Sequence, residues 1–166
     1  AVTRLAEEAG QGEFAATIRR RTRGHPLFVV QTLRGLAAGE TGPPETLQAA
    51  VLARLRRVGR NAEEVLRAGA VLGASVDPVV VAGMLELPVH AVARCCAEAI
   101  GAGLLAVAER DYEFANDLIQ EILYATTPAP LRRAHHLRAA DLSTAQPEVV
   151  GRHAAAGGDG VRAARA

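Results

Sequence analysis

Apolar residues recur every three or four positions through most of the chain, which is the spacing that places them on one face of an α-helix. Glycine and proline interrupt this pattern at intervals and end one helix before the next begins. The pattern predicts helices that begin near residues 11, 26, 44, 61, 78, 88, 116, 131, 147 and 160. We therefore expect a mainly α-helical fold.

Two brief apolar segments, 104–108 and 112–115, lie between predicted helices and are short enough to be strands. They could pair as a β-hairpin, with Gly101 and Gly103 in the turn that leads into the first strand. Helices followed by such a hairpin occur in winged-helix domains. The alternative is that residues 104–108 extend the preceding helix, if its glycines are tolerated there.

Loops and turns divide the predicted elements into three parts. Residues 1–42 form a helical segment, residues 43–127 a winged-helix-like domain with a small β-hairpin, and residues 128–166 the first helices of a helical repeat. The last predicted helix reaches the final residue without a closing cap. We therefore expect the chain to be a piece of a longer protein with further repeats.

Composition limits where the protein can act. Hydrophobic residues make up 49% of the 166 residues, which is enough to bury a core. Charged residues interrupt every apolar stretch, so no run of about 18 apolar residues is available to span a membrane. The N-terminal residues also lack the features of a secretory signal. We expect a cytoplasmic protein that makes no contact with a membrane.

The charge pattern argues against two classes of function. Acidic and basic residues are interspersed and sum to a net charge of +1, so we do not expect direct contact with DNA. All 19 basic residues are arginine, whereas the phosphate-binding loop of common nucleotide hydrolases needs a lysine. This chain alone is therefore not expected to be such an enzyme.

Other catalytic and metal-binding patterns are missing from the sequence. The only serines, Ser75 and Ser143, do not lie in a glycine-flanked nucleophile motif. The five histidines lack the helical spacing of a zinc hydrolase, and the two adjacent cysteines cannot form a metal clip. We expect no metal site, and we expect His135 and His136 to lie on a solvated or interfacial face.

Two short motifs are more informative: RTRGHPLFV at residues 21–29 and YEFANDLIQE at residues 112–121. Each has the pattern of a helix start. In this order and at this separation, they resemble the region that follows the nucleotide-binding core in the signal-transduction ATPases with numerous domains (STAND). The resemblance is greatest to the large actinobacterial transcriptional regulators that also carry helical repeats.

This resemblance implies a nucleotide site. In the family the lid proline packs against the adenine, which would be the role of Pro26, with His25 beside it. The family often has a histidine before its Asp-Leu pair, where the imidazole reaches the β-phosphate of ADP. This chain has Asn116 there, whose amide can donate a hydrogen bond but carries no charge. Asp117 matches the family and would cap the helix or pair with an arginine.

The implied mechanism is a switch, in which bound ADP holds the parent protein closed and ATP releases it. The cofactor would be ATP or ADP in the parent, and none is expected for this chain alone. Its partners would be the nucleotide-binding core and repeats of the parent, and other proteins. The alternatives are a stand-alone winged-helix DNA-binding module and a helical scaffold. Arg94 is the only basic side chain of the predicted recognition helix, which does not favour the DNA-binding alternative.

Overall fold

A computed structural model of the chain describes residues 2–10, 12–24, 26–37, 45–143 and 147–166. Over these ranges the chain is mainly α-helical with one small antiparallel sheet, which confirms the predicted class. The N-terminal part contains α1 (Val2–Glu8), a 3₁₀ turn (Gly12–Phe14), α2 (Ala15–Thr22) and α3 (Pro26–Ala37). The helix predicted from residue 11 therefore begins as a separate turn.

The middle and C-terminal parts follow the predicted order of elements. The middle part contains α4 (Glu45–Leu55), α5 (Arg60–Leu72), β1 (Ser75–Val76), α6 (Pro78–Leu85), α7 (Val89–Gly101), β2 (Leu105–Val107), β3 (Tyr112–Phe114) and α8 (Asp117–Thr126). The C-terminal part contains α9 (Ala129–Leu142), α10 (Pro147–Gly157) and α11 (Gly160–Ala163).

The sheet contains the predicted hairpin and one further strand. β2 and β3 pair antiparallel, with Leu105 opposite Phe114, so residues 105–107 do not extend α7. β1 adds to the other edge of β3, which makes the strand order β1-β3-β2. The sequence pattern did not predict β1 because two residues are too few to show an alternation. Val76 of β1 is fully buried, and Gly69 of α5 leaves room for its side chain.

Local sequence determines how two of the helices begin. Asp77 caps α6 through Oδ1, which accepts hydrogen bonds from the backbone N–H groups of Val79 and Val80. Asn116 caps α8 in the same way by accepting from the N–H of Ile119. Asn61 is a residue type that often caps helices, but α5 begins at Arg60 and Gly59 occupies its cap position.

The apolar side chains form two clusters. The larger one lies between α4, α5, α7, α8 and the sheet, and it includes Phe28 of α3. The smaller one joins the N-terminal helices and contains Ala6, Ala15, Ile18, Val29 and Leu33. Helix α3 thus contributes neighbouring residues, Phe28 and Val29, to different clusters.

The prediction that His135 and His136 lie on a solvated or interfacial face is wrong. Their exposed fractions are only 5% and 6%. Helix α9 packs against α5 and α6 and against α10, and His135, His136, Ala139 and Ala140 are its buried residues, whereas most of its other residues are exposed. The Arg-rich sequence of α9 does not show which of its residues these neighbouring helices cover.

No single helix in the described ranges is long and apolar enough to cross a membrane. Helices α6 and α7 pass such a test only as a pair, by length and composition, and they are bent by 115° at the break between them.

Candidate functional site

The two motifs at residues 21–29 and 112–121 meet in the structure. Arg23 follows α2, and its guanidinium makes a two-pronged contact with the carboxylate of Glu113 on β3, which lies 90 positions away in the sequence. The Nη2 to Oε2 distance is 3.1 Å. Arg23 has a φ of 48°, so the left-handed backbone at the end of α2 turns this side chain towards the sheet. The contact joins the N-terminal helices to the sheet.

The electrostatics of this ion pair are mutually favourable. The hydrogen bond to Glu113 raises the pKa of Arg23, and the charge of Asp117 adds a smaller effect in the same direction. The hydrogen bond from Arg23 lowers the pKa of Glu113 below its usual value. Asp117 is half-buried at the first position of α8. It therefore supports the arginine electrostatically, in line with the expected pairing.

A pocket of about 630 Å³ lies between α3, α4, the end of α7 and the start of α8. The lining includes an aromatic ring, two arginines, a glutamate and the predicted Asn116. The described residues that line it are Phe28, Arg54, Arg57, Val58, Glu98, Gly101, Ala102, Gly103, Ala115 and Asn116. The pocket therefore contains a residue from each motif, since Phe28 belongs to the first and Asn116 to the second.

Arg54 of α4 and Arg57, which follows α4, give this pocket its positive charge. Arg54 lies over the ring of Phe28, 5.7 Å from its centroid, and its Nη1 donates to the carbonyl of Gly103 at 3.4 Å. Arg57 is exposed, and its side chain forms no hydrogen bond or ion pair with any described residue. A free guanidinium at a pocket rim is suited to an anionic ligand.

The side chain of Asn116 caps α8 through its oxygen, which leaves its NH₂ group for other contacts. Its exposed fraction is 2%, and its Oδ1 accepts the backbone N–H of Ile119 at 3.0 Å to cap α8. An asparagine side chain also has an NH₂ group with two donors. Because the oxygen is used by the cap, the amide nitrogen is the group of Asn116 that can serve a ligand.

The structure brings some of the predicted site residues together and separates others. Asn116 lines the pocket, and Asp117 follows it directly at the start of α8. Pro26 is exposed at the first position of α3 and is not among the described lining residues, although Phe28 of the same helix turn is. His25 lies outside the described residues.

The sequence pattern did not indicate Arg54, Arg57 or Glu98 as site residues. Arg54 lies in α4, Arg57 directly follows α4, and Glu98 lies in α7. The sequences of both helices show ordinary polar faces. Glu98 additionally accepts a hydrogen bond from the backbone N–H of Gly59. The cluster of arginines at residues 54, 56 and 57 was the one available signal, because a helix end rich in arginine is a potential anion site.

The described lining residues of the pocket include no serine, cysteine or histidine, and Glu98 is their only carboxylate. The described ranges also contain no group of three or more side chains placed to hold a metal ion. Comparisons with models of protein families, with curated proteins and with solved structures found no match to this chain.

Proposed function

We propose that this chain is the regulatory interdomain segment of a cytoplasmic, ATP-dependent transcriptional regulator of the STAND type. In this proposal residues 1–42 are the lid, residues 43–127 a winged-helix domain and residues 128–166 the start of a TPR-like repeat. The observation that supports it most is that the two motifs meet through Arg23 and Glu113 and that each motif contributes to the lining of one pocket, through Phe28 and Asn116.

The topology of the middle part is consistent with this proposal. The order α5, β1, α6, α7, β2, β3 and the strand order β1-β3-β2 are compatible with a winged-helix domain. The close packing of α9 against α10 is likewise consistent with a helical repeat, in which consecutive helices pack as a pair.

The pocket would receive the phosphate end of a nucleotide held by the core of the parent protein. The amide of Asn116 would donate to a phosphate oxygen, and Arg57, which has no partner among the described residues, would compensate the charge. Pro26, which lies in the same helix turn as the lining residue Phe28, would cover the adenine. Bound ADP would thus hold the lid and the winged helix against the core, and ATP would favour the open state.

The chain contributes no catalytic group in this proposal. It has no lysine for a phosphate-binding loop, so any hydrolysis of ATP belongs to the nucleotide-binding core of the parent. Partners of the chain would then be that core, the repeats and other proteins, with neither DNA nor a membrane in direct contact.

The test is the affinity for ADP of the longer parent protein, measured by titration calorimetry. Pro26→Ala and Asn116→Ser should each weaken ADP binding, by about tenfold if one good contact of about 1.4 kcal/mol is lost. Serine is chosen at position 116 because it also caps helices well, so the loss would reflect the missing amide.

Two matched substitutions serve as controls. Pro78→Ala changes a proline at the same position of another helix, and Asn61→Ser changes an exposed asparagine of α5. Both should leave the ADP affinity unchanged. Equal ADP affinity in all five proteins, wild type included, would refute the proposal.

The alternative of a stand-alone DNA-binding module receives no support from the exposed face of α7. That face carries Arg94 as its only arginine, together with His90 and Glu98. DNA readers instead present several basic or amide side chains to the bases. Tight duplex binding that weakens steeply with salt would favour this alternative.

A further inference from the structure

A second pocket, separate from the one that contains Asn116, lies between the β1–α6 region and the α9–α10 pair. Its volume is about 350 Å³, which is at the small end of the range for ligand sites. Leu72, Val80, Leu142 and Val149 supply its apolar lining. The pocket is therefore large enough for a small molecule with an apolar part.

Two opposite charges line this pocket without neutralising each other. Asp77 precedes α6 and Arg152 lies on α10, and neither forms an ion pair with any described residue. Oδ1 of Asp77 is used by the helix cap, at 2.7 Å from the nitrogen of Val79, but Oδ2 makes no hydrogen bond within the described ranges. The pocket therefore offers a carboxylate that can pair with a cationic group and a guanidinium that can pair with an anionic group.

One wall of the pocket is a buried polar network. His153 lines the pocket with an exposed fraction of 2%, and its Nδ1 lies 2.9 Å from Nδ1 of His136. Nε2 of His136 lies 3.0 Å from the hydroxyl of Tyr124 on α8. These hydrogen bonds hold the ring of His153 in place, so an occupant would meet a rigid wall connected to α8.

We propose that this pocket binds a small zwitterion with an apolar side chain, of the α-amino acid type. The carboxylate of the ligand would pair with Arg152 and its ammonium group with Asp77, while its side chain would pack on the apolar lining. Asp77 is half-buried and Arg152 is exposed. A ligand with one charge would pair with only one of these two side chains, whereas a zwitterion would form a charge-assisted hydrogen bond with each. The proposed site is independent of nucleotide binding and goes beyond the function proposed above.

The experiment is a titration of the protein with L-leucine, followed by NMR signals of the histidine rings. Saturable shifts of the His153 signals are expected, since its ring lines the site. Arg152→Gln and Asp77→Asn should each weaken leucine binding by at least about tenfold. Asparagine keeps the helix cap of α6, so the second variant should remain folded.

Ligand and protein controls separate this site from unspecific binding. Leucinamide lacks the carboxylate and 4-methylpentanoate lacks the amine, and both should bind at least about tenfold more weakly than L-leucine. Arg94→Gln, on the exposed face of α7, should have no effect. The proposal would be overturned if L-leucine failed to saturate the signals by about 10 mM. It would also be overturned if either pocket variant bound L-leucine as tightly as the wild type.

Discussion

Three histidines of the C-terminal helices lie in the protein interior. Burial, together with smaller effects of the charges of His136 and Arg152, lowers the pKa of His153 to about 4. Burial is also the main cause of the lowered pKa of His136, with Arg132 and Arg152 acting in the same direction. For His135, Glu64 opposes the lowering that burial causes. All three rings are therefore neutral in the folded protein near neutral pH.

This burial predicts a loss of stability in mild acid. The unfolded chain binds a proton at position 153 as the pH falls through about 6.5, whereas the folded protein does so only near 4. The free energy of unfolding should therefore fall by about 2 kcal/mol from this group between about pH 7 and 5. Urea unfolding at these two pH values measures the change.

The substitution His153→Asn should reduce this pH dependence, because asparagine keeps a polar atom near Nδ1 and does not titrate. His90→Asn, on the exposed face of α7, should leave the pH dependence as in the wild type. If His153→Asn lost as much stability in acid as the wild type, burial of His153 would not be the cause.

Single residues also differ in how far the sequence could predict their roles. The cap at Asn116 was predictable because capping depends on a few neighbouring residues. The Arg54 contact with Phe28 was not, since these residues approach only after α3 and α4 have packed. Polar residues on an exposed helix face look alike in sequence until a neighbouring element covers some of them.

At the scale of the elements, α9 and α10 pack closely where Gly157 of α10 meets Leu137 of α9. A Cβ atom at Gly157 would lie 2.7 Å from Cδ2 and 2.8 Å from Cγ of Leu137. The backbone nitrogen of Leu137 would be 3.3 Å away. The two helices can keep their present spacing here only because glycine has no side chain.

Gly157→Ala is therefore expected to destabilise the protein by about 1–3 kcal/mol, as overpacking usually does. Gly101→Ala is the matched control, because both glycines are the last residue of a helix and nothing lies within 4 Å of a Cβ at Gly101. It should be neutral or stabilise by up to about 1 kcal/mol. Thermal unfolding of both variants would test this, and equal effects would contradict it.

At the scale of the whole molecule, the N-terminal helices have their own small apolar cluster and are joined to the rest by few contacts. Phe28 enters the main core, α2 packs near α8, and Arg23 pairs with Glu113. The ion pair is partly exposed, so its contribution should not exceed about 1 kcal/mol. Removal of the ion pair should therefore weaken the docking of the N-terminal helices and change the free energy of global unfolding little.

Arg23→Gln and Glu113→Gln should each speed hydrogen exchange in α1–α3, by about fivefold at most. The double variant should exchange no faster than either single variant, because both changes remove one shared interaction. Arg4→Gln breaks an exposed pair within α1 and is the control, which should leave exchange in α2 and α3 unchanged. Additive effects in the double variant would show that Arg23 and Glu113 act independently.

The sequence by itself determined the order of the helices from α2 onward and the lack of a lysine for a phosphate-binding loop, and it indicated the hairpin as one of two possibilities for residues 104–108. These features depend on residues a few positions apart, whose spacing is visible in the chain. Only the tertiary structure decided the burial of His135 and His136, the third strand, the Arg23–Glu113 pair and the two pockets. Each of these requires distant segments to pack together, and a local pattern carries no record of its long-range neighbours.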